Sequence, residues 1–230
     1  MYNQINSVNS YELKYVKVIL VTGGTGLVGT HLLLDLCRSG KKVRVLKRSN
    51  SNTINVKKVF SYYLSNPDIL LENIEWVDVD LSDIYAIAEA MEGVKEVYHC
   101  AAMVSFDPKC EVEMMKINVD GTANMVNAAL QKGIKKFCHV SSIATIGRSE
   151  HVEVLTEDLF WKLSPEHSNY AISKYSAERE VWRASEEGLE VIIVNPSLII
   201  GAGNWQQSSS NLFVKGYKGV RFFTEGVNGF

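Results

Sequence analysis

No stretch of this sequence approaches the roughly 18 consecutive apolar residues that a membrane span needs. Neither sign of charge dominates: 24 Lys and Arg face 26 Asp and Glu, a net charge of −2. The global basic footprint of a nucleic-acid binder is therefore missing. Cysteine is sparse. Cys37, Cys100, Cys110 and Cys138 form no CxxC pair, and three of them sit in or beside apolar runs. Free thiols in a reducing compartment fit this better than a disulfide framework. The opening MYNQINSVNSYELKY has no apolar core of the kind a secretory leader carries, so residues 1–15 are read as a polar tail. Repeats and low-complexity blocks are also missing. The expectation is a soluble, cytoplasmic protein with no membrane and no nucleic-acid partner.

What is present is ordinary globular material, 46% hydrophobic and 22% charged, which excludes wholesale disorder. A length of 230 residues suits one folded unit, or one domain and part of another. Short β-branched runs at 16–22, 42–46, 74–77, 96–100, 136–140 and 190–194 alternate with helical patterns at 26–38, 56–64, 82–91, 111–132 and 169–187. That alternation predicts an α/β fold, a doubly wound parallel sheet with helices on both faces. VKVILV and VIIVN are nearly unbroken apolar runs, as strands buried on both faces should be. After Pro196 the pattern becomes loop-like, with a short helix expected at 211–217.

The first strand runs straight into Thr22-Gly23-Gly24-Thr25-Gly26-Leu27-Val28-Gly29, which opens a helix. The glycines satisfy both G-x-G-x-x-G and G-x-x-G-x-x-G. They permit a tight turn and close approach of backbone to a pyrophosphate, which the helix N-terminus then attracts. Gly23, Thr25, Gly26, Leu27, Val28 and Gly29 are thus candidate cofactor contacts. At the end of the second strand, where NAD-preferring proteins carry an acid, the chain reads Leu46-Lys47-Arg48. A guanidinium can bind a 2′-phosphate bidentately, so Arg48 favours NADP(H), with NAD(H) as the alternative.

Tyr170 and Lys174 lie four apart on an expected helix and so share a face. They follow, by 28 residues, Ser142 at the end of the fifth strand. Hydride transfer to a carbonyl needs a proton donor for the nascent alkoxide. A tyrosine can serve if a nearby cation lowers its pKa, and Lys174 is the candidate cation. Ser142 would orient the carbonyl. His99-Cys100 and Cys138-His139 end two neighbouring strands and are read as buried residues, with no metal expected.

Together these segments resemble the extended short-chain dehydrogenase/reductase family, in its NAD-dependent epimerase/dehydratase branch. Within that branch they are most similar to the dihydroflavonol 4-reductase and 3β-hydroxysteroid dehydrogenase-like reductases. The resemblance implies a Rossmann domain at 16–196 and the start of a substrate-binding region at 197–230. It implies that Asp80 and Leu81 hold the adenine, that Ala101, Ala102 and Val104 line the cofactor, and that residues 104–106 approach the substrate. Asn118 takes a place in the family's catalytic set beside Ser142, Tyr170 and Lys174, the last two also touching cofactor. Asn195, Pro196 and Ser197 match the segment that meets the nicotinamide. The residue-level alternatives are a helix cap for Asp80 and a structural hydrogen-bonder for Asn118. The resemblance also implies homodimer pairing through the 111–132 and 169–187 helices.

Ile143 and Ala144 follow Ser142 where the family's sugar-nucleotide dehydratases place an acid pair, which argues against dehydration. The expected substrate-facing stretches, 103–106, 143–146 and 198–205, are mostly apolar. Arg148 is the nearest cation in sequence, with Lys215, Lys218 and Arg221 further on. The expected function is NADP(H)-dependent reduction of a carbonyl, or oxidation of a secondary alcohol, on a small or medium organic molecule. The alternatives are a nucleotide-sugar epimerase with bound NAD(P) and a non-catalytic NAD(P)-sensing protein.

Overall fold

The computed structural model describes residues 18–147, 156, 157, 159, 161, 162, 164, 167–205 and 209–219. The expected tail, the first two residues of the expected first strand, Arg148 and residues 220–230 lie outside the described residues. In chain order the elements are β1 (Val18–Thr22), α1 (Leu27–Arg38), β2 (Lys42–Lys47), α2 (Ile54–Ser61), α3 (Asp68–Leu71), β3 (Ile74–Asp78), α4 (Ile84–Ala90) and β4 (Val94–His99). After them come α5 (Glu111–Met115), α6 (Gly121–Gln131), β5 (Lys136–Val140), α7 (Asn169–Glu186), β6 (Glu190–Val194) and α8 (Ser210–Lys218).

The six strands form one parallel sheet in the order β3-β2-β1-β4-β5-β6. Parallel strands need crossovers, and the helices that make them cover both faces. One face carries Ile19, Val21, Val43 and Val45 against Leu33, Leu34 and Cys37 of α1 and Val56 and Phe60 of α2. The other carries Leu20, Val97 and Phe137 against Ile87 of α4, Met125, Ala128 and Ala129 of α6, and Val181 and Ala184 of α7. The buried stripe Ala171, Lys174, Ala177, Val181, Ala184 repeats every three or four residues along α7, as a helix with one inward face must.

Residues 111–132 are not one regular helix. Between α5 and α6 the chain takes a π-helical turn over Lys116–Asp120, with Asn118 buried at its centre. Such turns are found often at functional sites. Asp80 does not cap α4. Asp83 does, its Oδ1 accepting from the N–H groups of Tyr85 at 3.1 Å and Ala86 at 3.0 Å. Among the described residues no helix is long and apolar enough to cross a membrane.

The cap makes a direct test of local stability. Asp83→Ala leaves two N–H groups of α4 without their side-chain acceptor and should cost about 1 kcal/mol. The urea midpoint, at unchanged slope, would show it.

Candidate active site

Because all strands run the same way, every loop after a strand emerges at one edge of the sheet. The order reverses between β1 and β4, and this switch point is where an open α/β sheet forms its binding crevice. The glycine loop fills the β1 side. Gly23 has φ +68°, and a Cβ there would lie 2.7 Å from the Cys100 carbonyl carbon and the Ala101 nitrogen across the crevice. A Cβ on Gly29 would lie 2.2 Å from the Gly23 oxygen. The turn is closed by Gly26 N–H donating to Gly23 O at 2.9 Å and by Thr30 Oγ1 donating to Gly24 O at 3.0 Å. Gly26 caps α1 without a side-chain bond and the first turn holds no acid. The first-turn N–H groups, which have no intrahelical acceptor, therefore present a positive end to an anion. The expected contacts Gly23, Thr25, Gly26, Leu27, Val28 and Gly29 all belong to this cradle.

Of the two cations after β2, Lys47 is paired with Asp78 at the end of β3. Arg48 is exposed, and its charge acts on Asp80. Asp80 Oδ1 accepts from Ser82 N at 2.8 Å and Ser82 Oγ at 2.7 Å, which holds its carboxyl below the usual range. Leu81 packs on the α6 start, where a Cβ on Gly121 would lie 3.2 Å from the Leu81 Cβ. On the far side of the crevice Ala101 N–H donates to Thr22 Oγ1 at 3.2 Å, while Ala102 and Val104 are exposed.

Asn118 is spent on the backbone of Met103. Its Oδ1 accepts from Met103 N at 2.7 Å, and its Nδ2 donates to Met103 O at 2.9 Å and Ser173 Oγ at 3.0 Å. It thus pins the loop after β4 to the tyrosine helix, which is a positioning role.

Ser142 is 9% exposed at the end of the β5 segment, and Tyr170 is half-buried in the first turn of α7. Ser168 caps that helix, its Oγ accepting from Ala171 N at 3.1 Å. Burial pushes the Tyr170 phenol up, and a hydrogen bond with Ser142 pulls it part of the way back. This differs from the expectation that Lys174 would lower it. The Lys174 ammonium, 2% exposed, donates to Val140 O at 2.9 Å and lies 3.5 Å from His139 Nε2. Burial lowers its pKa to about 8, with Glu178 opposing.

Beneath Lys174 the His139 ring stacks on His99 at 5.4 Å. His99 is held between Thr22 Oγ1 at 2.7 Å and Thr122 Oγ1 at 2.9 Å. Burial first, then the Lys174 charge, lowers His99 to about 3 and His139 well below its ordinary value, so both rings are neutral. Among the described residues His139 Nδ1 has no hydrogen-bond partner. Burial pushes the Cys100 thiol up to about 12 and Cys37 to about 11, which leaves them unreactive. No group of three or more metal-ligating side chains exists among the described residues.

Asn195, Pro196 and Ser197 border the same site. Pro196 O accepts from Ile143 N at 3.1 Å, and Asn195 Nδ2 donates to Ser142 O at 3.2 Å. The stretch after them folds back over α1, where His31 Nε2 meets Ala202 O at 2.8 Å. Sequence reasoning missed Glu178. Its Oε2 accepts from Ser141 Oγ at 2.6 Å, Thr145 Oγ1 at 2.8 Å and Asn195 Nδ2 at 3.0 Å. The available signal was its spacing, four residues beyond Lys174 and eight beyond Tyr170.

A sheet of this order, with a glycine cradle at its switch point, defines a Rossmann-type dinucleotide-binding fold. The chain belongs to the NAD dependent epimerase/dehydratase family, whose model matches residues 19–218. It is 33% identical over 181 residues to a putative dihydroflavonol 4-reductase of Synechocystis, covering 79% of this chain and 49% of that protein. It is 30% identical over 199 residues to the UDP-glucose 4-epimerase of Vibrio cholerae, covering 84% and 55%. Among solved structures, the terminal R domain of the myxalamid PKS-NRPS biosynthetic pathway superposes with a TM-score of 0.73 at 28% identity, covering 86% of this chain and 54% of that one. The chain thus spans about half the length of the curated relatives it matches.

The buried ammonium makes a pH-dependent prediction. The folded pKa of Lys174, about 8, lies below the ordinary 10.5. Below pH 8 the lysine is charged in both states and the fold bears the whole burial cost. Between pH 8 and 10.5 the folded form has lost the proton that the unfolded chain keeps, so stability rises with pH, by up to about 1.4 kcal/mol per unit. Measured against Lys174→Met, which lacks the titrating group, the wild type should gain urea stability between pH 7 and pH 9.5. The difference between the two proteins removes the thiols and phenols they share.

Proposed function

We propose that this protein is an NADP(H)-dependent oxidoreductase. It reduces a carbonyl, or oxidises a secondary alcohol, on a small or medium organic molecule. The observation that carries the reading is the meeting of Ser142 and Tyr170, with Lys174 one turn on, at the same sheet edge as the glycine cradle. Relatives named as reductases support the same class.

The residues present fit a dinucleotide. Gly23, Gly24 and Gly29 leave room that any Cβ would fill, and the α1 N-terminus offers N–H groups to a pyrophosphate. Arg48, with Lys47 already neutralised by Asp78, is the group available to a 2′-phosphate. When bound, the nicotinamide supplies or accepts the hydride. Tyr170 then gives its proton to the developing alkoxide, and a phenol held high by burial keeps that proton until it is needed. Ser142 donates a hydrogen bond to the same oxygen. The Lys174 cation stabilises the phenolate left behind.

The substrate side is apolar. Phe106, 75% exposed, brings its ring within 6.0 Å of the Tyr170 ring, and Val104, Leu198 and Ile200 are also exposed. Such a wall suits an uncharged carbonyl compound held by area burial rather than a pyrophosphate. The similarity to a UDP-glucose 4-epimerase supports a second reading, a nucleotide-sugar epimerase that retains its cofactor. Steady turnover of a nucleotide sugar without added nicotinamide, and none of any simple carbonyl, would select it.

Two substitutions test the main reading. Tyr170→Phe should lower kcat by about 10² or more while dinucleotide binding persists; a fully active variant would overturn the mechanism. The wild type should bind NADPH more tightly than NADH. Arg48→Asp should cost NADPH about tenfold or more, from the loss of a charge-assisted bond, with little effect on NADH. Fluorescence titration of the two cofactors measures this, and equal affinities in the wild type would remove the NADP assignment.

A further inference from the structure

We propose that Glu178 is a positioning residue of this site: its carboxylate ties the segment that carries Ser142, and the stretch after β6, to the helix that carries Tyr170 and Lys174. The inference rests on the catalytic reading of Ser142, Tyr170 and Lys174.

Tyr170, Lys174 and Glu178 follow one another at intervals of four on α7 and so present one face. The carboxylate stands where three chain segments meet. From the β5 side it takes the hydroxyls of Ser141, immediately before Ser142, and Thr145, three residues after it. From the β6 side it takes the Asn195 amide. Its second oxygen accepts from Trp182 Nε1 at 3.3 Å, on its own helix. Thr145 Oγ1 lies 2.8 Å from the Ser142 carbonyl as well as from Glu178, and Asn195 Nδ2 donates to that carbonyl at 3.2 Å. Three side-chain tethers on the Ser142 segment, from Ser141, Thr145 and Asn195, thus meet at one carboxylate. Three donors converging on one oxygen need a strong acceptor with free lone pairs, which an ionised carboxylate is.

Two variants of the full chain test this. Glu178→Gln keeps one oxygen for Ser141, Thr145 and Asn195; Glu178→Ala removes it. Amide exchange over 141–145 should accelerate in Glu178→Ala and stay close to the wild type in Glu178→Gln. In turnover with a carbonyl substrate, the alanine variant should lose about ten- to a hundredfold in kcat, more than it changes KM. The glutamine variant should recover most of that loss. A folded alanine variant with wild-type exchange at 141–145 overturns the proposal. Should the alanine variant not fold, Thr145→Val, which removes one donor to the carboxylate, decides: exchange over 141–145 should accelerate, and wild-type exchange there overturns the proposal. Should the wild type turn over no carbonyl compound, the catalytic reading falls, while exchange still judges the role of Glu178.

Discussion

An ammonium group almost wholly withdrawn from water sits at the carboxyl edge of the sheet, and its surroundings are arranged about the cost of keeping it there. Burying an unpaired charge is among the more expensive things a fold can do. Lys174 offsets that cost with the Val140 carbonyl, with the opposing charge of Glu178, and with two histidines that stay neutral. The His99–Thr22–Thr122 bridge holds one of those rings between β1, β4 and α6. A cation in a low-dielectric setting acts strongly on whatever charge develops nearby. Charge developing on the Tyr170 phenol is what the proposed reaction requires.

That arrangement depends on the parallel sheet. With six strands in one direction, the glycine cradle, the Met103 loop, Ser142 and Asn195 all emerge on the same side. Small residues make the approach close. Gly23 faces the Cys100–Ala101 backbone, Gly29 faces Gly23, and the alanines of α7 let it settle against the sheet. Asn118 and Glu178 then act as two polar rivets, the first fixing the loop after β4 to α7 and the second fixing the loops after β5 and β6 to the same helix. The tyrosine helix is consequently referenced to three strand ends at once, which is how a site on loops acquires the precision of one on rigid elements.

The alternation of strands and helices, the parallel sheet and the cradle after the first strand were all legible in the sequence, because each has a local cause. Period-two and period-3.6 patterns record burial, and Gly23, Gly26 and Gly29 record a turn that side chains would block. Ser142, Tyr170 and Lys174 could be put forward as candidates from their chemistry and their place after the fifth strand. What the tertiary structure decided concerns partners distant in sequence. The direction of the Lys174 ammonium into the sheet, the upward shift of Tyr170, the pairing of Lys47 with Asp78 and the π-helical turn at Asn118 all follow from contacts between separate elements. Glu178 shows the division most sharply. In sequence it is one acid among many on a polar helix. In the fold it meets Ser141, Thr145 and Asn195 from segments 17 to 37 residues away. Periodicity reports which face a residue occupies, but only the packed chain determines which donors reach that face.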